Sequence, residues 1–139
     1  MPAYLDNAAT TPLRPQAAEA MLPWLTERFG NPSGSHAIAR AARTAIDDAR
    51  EITAAALGVD PGGVVFTGGG TEADNLAVLG VVARQPGPVV CTAIEHHAVL
   101  HAAQAAAADA RLVAVHPDGT IDLDALDAAL DDTVRVVSV

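Results

Sequence analysis

Apolar residues recur along the first part of this chain at three- and four-residue intervals, the spacing of an amphipathic helix. The pattern is most regular from Ala37 to Leu57, and Gly58 follows it, where a left-handed residue commonly ends a helix. Ser35 is the expected N-cap of this helix. Another helix is predicted from about Pro15, kinked or divided at Pro23 because proline removes a helical hydrogen bond.

Beyond Gly58 the pattern changes to short apolar runs separated by helical segments. The runs that predict buried strands are residues 64–66, 89–91, 112–115 and 134–139. The segments that predict helices extend from the glycine-rich residues 68–71 to about Arg84, from His97 to about Ala108, and from a cap at Asp122 to about Leu130. Strands that alternate with helices indicate parallel βαβ units. We therefore predict an α/β fold with three layers, in which helices flank a mainly parallel sheet.

The chain shows no linker or internal repeat that would divide it. We expect a single domain, in which residues 1–36 form an N-terminal loop and helix segment.

The composition narrows the range of functions. A formal charge of −9 and a pI near 4.7 disfavour nucleic acid and anionic lipid as partners. Apolar runs stay far below the roughly 20 residues that span a bilayer, so no membrane partner is expected. Cys91 is the only cysteine, which excludes an internal disulfide framework and favours a cytoplasmic location. All eight basic residues are arginine, so the chain contains no lysine.

A glycine-rich segment, residues 68–71, lies between a predicted strand and a predicted helix. Glycines permit close approach, and the free N–H groups and dipole of a helix N-terminus favour an anion, so the segment fits a phosphate cradle. It matches neither the Walker nor the Rossmann pattern. The alternative is a glycine-rich turn closed by a capping box of Thr71 and Asp74.

Histidines cluster after the predicted strand at residues 89–91. His96 is placed in a loop at the carboxyl edge of the sheet, where it could stack on a planar ring or transfer protons; the alternative is a solvated loop histidine. His97 and His101 are four residues apart, a spacing that can bind a metal, but a third ligand is missing. We therefore predict no metal site, and we assign Cys91 to the core rather than to catalysis.

Four segments in one order, residues 4–12, 29–36, 65–75 and 95–99, resemble the amino-terminal part of cysteine desulfurases. These are fold type I enzymes of the class V aminotransferase group. The resemblance implies a homodimeric, pyridoxal 5'-phosphate-dependent enzyme that converts cysteine to alanine. It also implies transfer of sulfur to an acceptor protein for iron-sulfur assembly or tRNA modification. Residues 37–139 would form part of the large, cofactor-binding domain.

The resemblance assigns roles to individual positions. Gly70 and Thr71 match the residues that bind the cofactor phosphate, and His96 matches the histidine that stacks on the pyridine ring. Asn7 and Ala8 match a segment near the substrate pocket.

No catalytic residue of the family has a counterpart in this chain. The family's cofactor-bonding lysine, its pyridine-binding aspartate and its sulfur-carrying cysteine belong to regions that would follow Val139. We therefore expect this chain to be inactive alone, because covalent attachment of the cofactor needs a primary amine.

Two alternatives stay open. The chain could be a non-catalytic phosphate-binding or interaction module that pairs with a homologue or a separate second half. It could also belong to another class V relative, such as a selenocysteine lyase or a cysteine-sulfinate desulfinase.

Overall fold

The structure, a computed structural model, describes residues 3–106 and 109–139. Its helices and strands divide between two units, the first ending at Val65 and the second comprising Phe66–Val139. Each unit has its own buried residues. The single-domain organisation expected from the sequence stays a prediction.

The first unit contains two α-helices and a short 3-10 turn. Helix α1 is Pro15–Thr26, helix α2 is Ala37–Leu57, and the 3-10 turn is Pro61–Gly63. Pro15 lies in the first turn of α1, where its missing N–H costs no hydrogen bond. The helix continues through Pro23, so the expected division of α1 at that residue is wrong.

Both ends of α2 are defined by residues next to it. Gly58 adopts the left-handed conformation, with φ of 69°, and confirms the predicted C-cap. The N-cap is His36, whose Nδ1 accepts a hydrogen bond from the Ala39 N–H at 3.2 Å. The expectation of Ser35 as the cap is therefore wrong. Ser35 lies one residue outside the helix, and its carbonyl accepts a hydrogen bond from the Arg40 side chain.

The second unit alternates helices with parallel strands. Its elements are α3 (Gly70–Arg84), β1 (Val89–Thr92), α4 (His97–Ala106), β2 (Ala110–Val113), α5 (Leu123–Ala129) and β3 (Val136–Ser138). The strand order is β2-β1-β3, and both pairs are parallel. Cys91 lies opposite Leu112 on one side and Ser138 on the other.

The predicted α/β fold with a parallel sheet and flanking helices is confirmed. The predicted end of α4 at Ala108 lies outside the described residues.

Residues 64–66 do not form the strand that their apolar pattern predicts. The backbone of Val64 is already bonded elsewhere: its N–H donates to the Pro61 carbonyl at 3.2 Å, and its carbonyl accepts from Arg50 Nε at 3.3 Å. Val65 is also 65% exposed. Because a strand needs a partner for its backbone groups, apolar character alone did not make this segment a strand.

The core of the second unit is built around β1. All four residues of β1 are buried, and α3 and α4 pack against each other beside the sheet. The buried cluster comprises Val78, Val82, Val89, Cys91, Ala102 and Ala103. Small alanine side chains on α4 let that helix approach its neighbours closely, which suits a chain with few aromatic residues.

Arg111 ties the end of α5 to β2. Its Nη1 donates to the Ala129 carbonyl at 2.8 Å and to Asp131 Oδ2 at 2.7 Å, and its Nε donates to Asp109 Oδ2 at 3.0 Å. The Thr133 hydroxyl and the Arg111 guanidinium hold the pKa of Asp131 below its usual range. Arg111 thereby satisfies a carbonyl that the end of α5 leaves without a helical partner.

We expect the stability of the chain to fall as the pH drops below about 4, partly through Asp131. A carboxyl group whose pKa is lowered by folding stabilises the native state above its unfolded pKa, about 3.9, and this contribution is lost on protonation. Urea midpoints between pH 6 and pH 2.5 should therefore fall less steeply for Asp131→Asn than for the wild type. Asp132→Asn is the control, because within the described residues its carboxylate makes no hydrogen bond. Parallel curves for the wild type and Asp131→Asn would contradict this role.

Gly87 is required by close approach between two segments of the second unit. A Cβ atom at Gly87 would lie 2.6 Å from the Thr133 carbonyl oxygen and 2.7 Å from Arg135 Cγ. We expect Gly87→Ala to lower the free energy of unfolding by about 1–3 kcal/mol. Gly80→Ala is the matched control, since a Cβ there meets nothing within 4 Å and alanine should stabilise α3 by up to about 1 kcal/mol. Urea unfolding measures both, and equal effects would refute the packing argument.

Candidate functional site

The glycine-rich loop is held in place by a carboxylate from the helix it precedes. The Gly68 N–H donates to Glu72 Oε2 at 2.6 Å, and the Thr67 hydroxyl donates to the Gly69 carbonyl at 3.0 Å. Gly69 is the N-cap of α3, so Glu72 occupies the third helical position. A capping box of Thr71 and Asp74 is therefore wrong, because Thr71 already lies inside the helix.

Consecutive backbone donors remain open at the start of α3. Among residues 3–106 and 109–139, the N–H groups of Gly69, Gly70 and Thr71 have no acceptor. They lie at a depression of about 690 Å³ lined by residues 68–72 and Asn75. The positive end of the α3 dipole adds to these donors. Such an arrangement favours an anion with several acceptor oxygens, such as a phosphate group.

His96 caps the neighbouring helix α4. Its Nδ1 accepts a hydrogen bond from the Ala98 N–H at 3.1 Å, and its backbone carbonyl accepts from the N–H groups of Val99 and Leu100. With Nδ1 as the acceptor, a neutral His96 ring carries its proton on Nε2. The side chain is exposed, so its Nε2 edge is open to a ligand.

The starts of α3 and α4 lie at the same edge of the sheet. Helix α4 follows the carboxyl end of β1 directly, through the turn at residues 93–96. Helix α3 contacts β3 and α4, and its last turn leads into the amino end of β1. Because α3 ends near the amino edge, it begins near the carboxyl edge. The open donors of the loop and the His96 ring therefore belong to one edge, where α/β sheets bind their ligands.

Asn7 and Ala8 belong to the first unit. They occupy a turn in which the N–H groups of Ala9 and Thr10 donate to the Asp6 carbonyl at 3.1 and 3.4 Å. Both are exposed. Their expected position near a substrate stays a prediction.

Sequence reasoning missed three polar residues that organise the loops of the second unit. Glu72 is one, although its position three residues after Gly69 matches the spacing of a capping box. Glu95 and Ser138 are the others: Ser138 Oγ donates to Glu95 Oε1 at 2.5 Å. No local pattern could have indicated this pair, because 43 residues separate its members.

Cys91, His97 and His101 are the other residues that the sequence brings forward. Burial, and secondarily the charge of Glu95, raises the pKa of the Cys91 thiol, which disfavours the reactive thiolate. His97 and His101 have ring centroids 5.4 Å apart on α4. No group of three or more His, Cys, Asp or Glu side chains that could hold a metal occurs among the described residues. Nor does the described part of the chain contain a helix with the length and apolar character needed to cross a membrane.

Comparison with known proteins places this arrangement in a family. The family model described as Aminotransferase class-V matches residues 3–139. The chain belongs to the class-V aminotransferases. The predicted membership of the class-V aminotransferase group is thereby confirmed.

Relatives of this class-V aminotransferase chain are named as cysteine desulfurases. It is 45% identical to a cysteine desulfurase of Frankia sp. (strain EuIK1), over 98% of this chain and 36% of the relative. It is 41% identical to the cysteine desulfurase IscS of Dictyoglomus turgidum, again over 98% of this chain and 36% of the relative. The chain thus spans about a third of the length of these relatives.

Solved structures show the same fold. A NifS-like protein matches with a TM-score of 0.86 and 30% identity, over 99% of this chain and 39% of that structure. The apo cysteine desulfurase from Thermococcus onnurineus NA1 matches with a TM-score of 0.77 and 26% identity, over 95% of this chain and 34% of that structure. The class-V aminotransferase chain therefore has the architecture of part of these proteins.

The cap at His96 predicts a measurable difference between adjacent histidines. We expect His96→Ala to lower the free energy of unfolding by about 1 kcal/mol, because the Ala98 N–H loses its acceptor. His97→Ala should have a smaller effect, since His97 is exposed and, among the described residues, its side chain accepts no hydrogen bond from the start of α4. His96→Asn, which can also accept at an N-cap, should restore most of the loss. Urea unfolding gives the three values, and equal losses for both alanine variants would refute the cap.

Proposed function

We propose that this chain supplies the phosphate cradle and the ring-stacking histidine of a pyridoxal 5'-phosphate-dependent cysteine desulfurase. The observation that carries the proposal is the set of open N–H donors at Gly69, Gly70 and Thr71. These donors belong to the sheet edge at which His96 caps α4. Membership of the class-V aminotransferases and relatives named as cysteine desulfurases support the same cofactor and substrate.

The donor set suits the phosphate of this cofactor. A phosphate dianion needs several donors, and the Glu72 carboxylate accepts from the Gly68 N–H rather than from those of residues 69–71. Gly69 and Gly70 have no side chains to fill the depression. Even a Cβ atom at either position would meet nothing within 4 Å. The cradle is thus open enough to admit a ligand without rearrangement of its backbone.

The chemistry divides between the cofactor and the chain. Pyridoxal phosphate, when bound, supplies an electron sink for bond changes at the α-carbon of an amino acid. The chain's part is to bind and orient. Gly70 and Thr71 would hold the phosphate, and the flat His96 ring would limit the tilt of the pyridine ring. Because Nδ1 of His96 is bonded to the Ala98 N–H, its Nε2 is the atom left to donate a proton.

Substrate and partners follow from the same proposal. Cysteine would be the substrate, with Asn7 and Ala8 near its pocket, and a sulfur-acceptor protein would receive the product sulfur. A homodimer in the cytoplasm is the expected setting. With no lysine in its sequence, the chain by itself should bind the cofactor without a covalent bond and should not convert cysteine.

A non-catalytic module is the second candidate. It is favoured by apolar side chains left exposed on both outer strands, Leu112 at 50% on β2 and Val137 at 47% on β3. Outer strands with exposed apolar residues can pair with another polypeptide. This module would hold a phosphate ligand weakly and gain function only with its partner.

A matched pair of variants at Gly70 tests the cradle. Gly70→Pro removes one open N–H at the first helical position, where proline is tolerated, and the extended backbone of Gly69 is compatible with it. Gly70→Ala keeps the N–H. We expect Gly70→Pro to weaken binding of pyridoxal phosphate roughly 10- to 100-fold, the loss of one hydrogen bond to a charged group, and Gly70→Ala to change it little.

The measurement is the absorbance of the cofactor retained after removal of excess, followed by borohydride treatment and intact mass. Retention without a reduced adduct is the expected result for the wild-type chain. Equal affinity of the Gly70→Pro and Gly70→Ala chains would place the phosphate elsewhere. No retention by a folded wild-type chain would favour the non-catalytic module.

A further inference from the structure

Glu95 joins two segments of the second unit that are distant in the sequence. Its Oε1 accepts the 2.5 Å hydrogen bond from Ser138 Oγ on β3, and its Oε2 accepts a hydrogen bond from the His96 N–H at 3.3 Å. Its own N–H donates to the Thr92 carbonyl at 3.3 Å. The single carboxylate therefore bridges the turn after β1 and the end of β3.

This bridge restricts the backbone that carries the His96 ring. The strand register already places Ser138 opposite Cys91, four residues before Glu95. Backbone hydrogen bonds hold the Ala93 N–H to the Val113 carbonyl at 2.9 Å and the Glu95 N–H to the Thr92 carbonyl at 3.3 Å, but the side chains of Ala93 and Ile94 are exposed and leave the turn some freedom. The two hydrogen bonds of Glu95 remove that freedom from the residue directly before His96. Helix α4 then fixes the ring from the other side, through the bond from the Ala98 N–H to Nδ1.

We propose that Glu95 is a positioning residue, which together with Ser138 holds the His96 imidazole at the carboxyl edge of the sheet in the orientation that receives a planar ligand. Its carboxylate acts through His96 and does not itself touch the ligand. This inference rests on the proposed function for the identity of the ligand. The positioning of His96 itself is a property of the ligand-free chain.

The test compares three variants of the 139-residue chain labelled with ¹⁵N and without ligand. Glu95→Ala and Ser138→Ala each remove the bridge between the turn and β3. Glu95→Gln can keep it, with its amide oxygen accepting from the His96 N–H and its NH2 group donating to Ser138 Oγ. Two signals report on His96: the ring ¹⁵N shifts, which distinguish an accepting Nδ1 from an averaged imidazole, and hydrogen exchange of the Ala98 amide. We expect both alanine variants to exchange Ala98 roughly three- to tenfold faster and to shift the ring nitrogens toward averaged values. Glu95→Gln should restore both signals.

A control in the same helix separates positioning from general destabilisation. Gln104→Ala changes an exposed residue of α4 whose side chain makes no hydrogen bond within the described residues, and it should alter neither signal. Exchange at Ala102 and Ala103, in the buried part of α4, should stay equal in all folded variants. If Glu95→Ala does not fold, Ser138→Ala, which removes a single oxygen atom, decides the question.

The outcomes separate this inference from the proposed function. Unchanged ring shifts and Ala98 exchange in the alanine variants would overturn the positioning role, whatever the chain binds. Changed signals that Glu95→Gln fails to restore would also overturn it, because charge or volume rather than the hydrogen bond would be responsible. A wild-type chain with the expected signals that does not retain pyridoxal phosphate would overturn the proposed ligand and leave the positioning of His96 standing.

Discussion

The pairing of β1 on both of its edges is the constraint on which the second unit depends. β1 is the central strand of the order β2-β1-β3, and its four residues are buried, so its backbone groups need hydrogen-bond partners, which the neighbouring strands mostly supply. That requirement brings β2 and β3 alongside it in parallel register. Parallel pairing in turn needs a crossover before each return, which α4 and α5 provide. The loops that follow the strands are consequently collected at one edge.

Carboxylates organise the loops at that edge. Glu72 accepts from the Gly68 N–H and Glu95 from the His96 N–H, so in both loops an acidic side chain satisfies the backbone donor next to the candidate ligand-binding residues. Among the described residues neither carboxylate occupies the N–H groups of Gly69, Gly70 and Thr71, which are left for a ligand.

This chain contains groups that could bind a ligand, but not the lysine that could bond to it covalently. Backbone donors and an imidazole are present at the carboxyl edge, whereas no lysine side chain occurs in the 139 residues. The Cys91 thiol does not offer a reactive nucleophile instead, because it lies in β1, fully buried, with a pKa raised by burial. A chain of this kind can be tested for binding independently of turnover, which makes the cradle and the His96 loop accessible to direct measurement.

Local features of the structure were readable from the sequence. The apolar spacing of α2, the left-handed Gly58, the run at residues 89–91 and the cap at Asp122 depend on residues within a few positions of each other, so their physical causes lie in the sequence itself. The same holds for the open N–H donors of the glycine-rich loop, because the first N–H groups of any helix lack partners within the helix. The order of four family segments was likewise a property of the sequence.

What the tertiary structure decided depends on contacts between distant residues. Residues 64–66 have a strand pattern, yet the Val64 backbone is used by Pro61 and Arg50. Ser35 and His36 both have side chains that can accept at an N-cap. In the structure His36 accepts from the Ala39 N–H, while the Arg40 side chain donates to the Ser35 carbonyl. The partner of Glu95 is 43 residues away on β3. Sequence patterns report propensities of neighbouring residues, whereas these outcomes follow from which backbone and side-chain groups meet once β1 has its two partners.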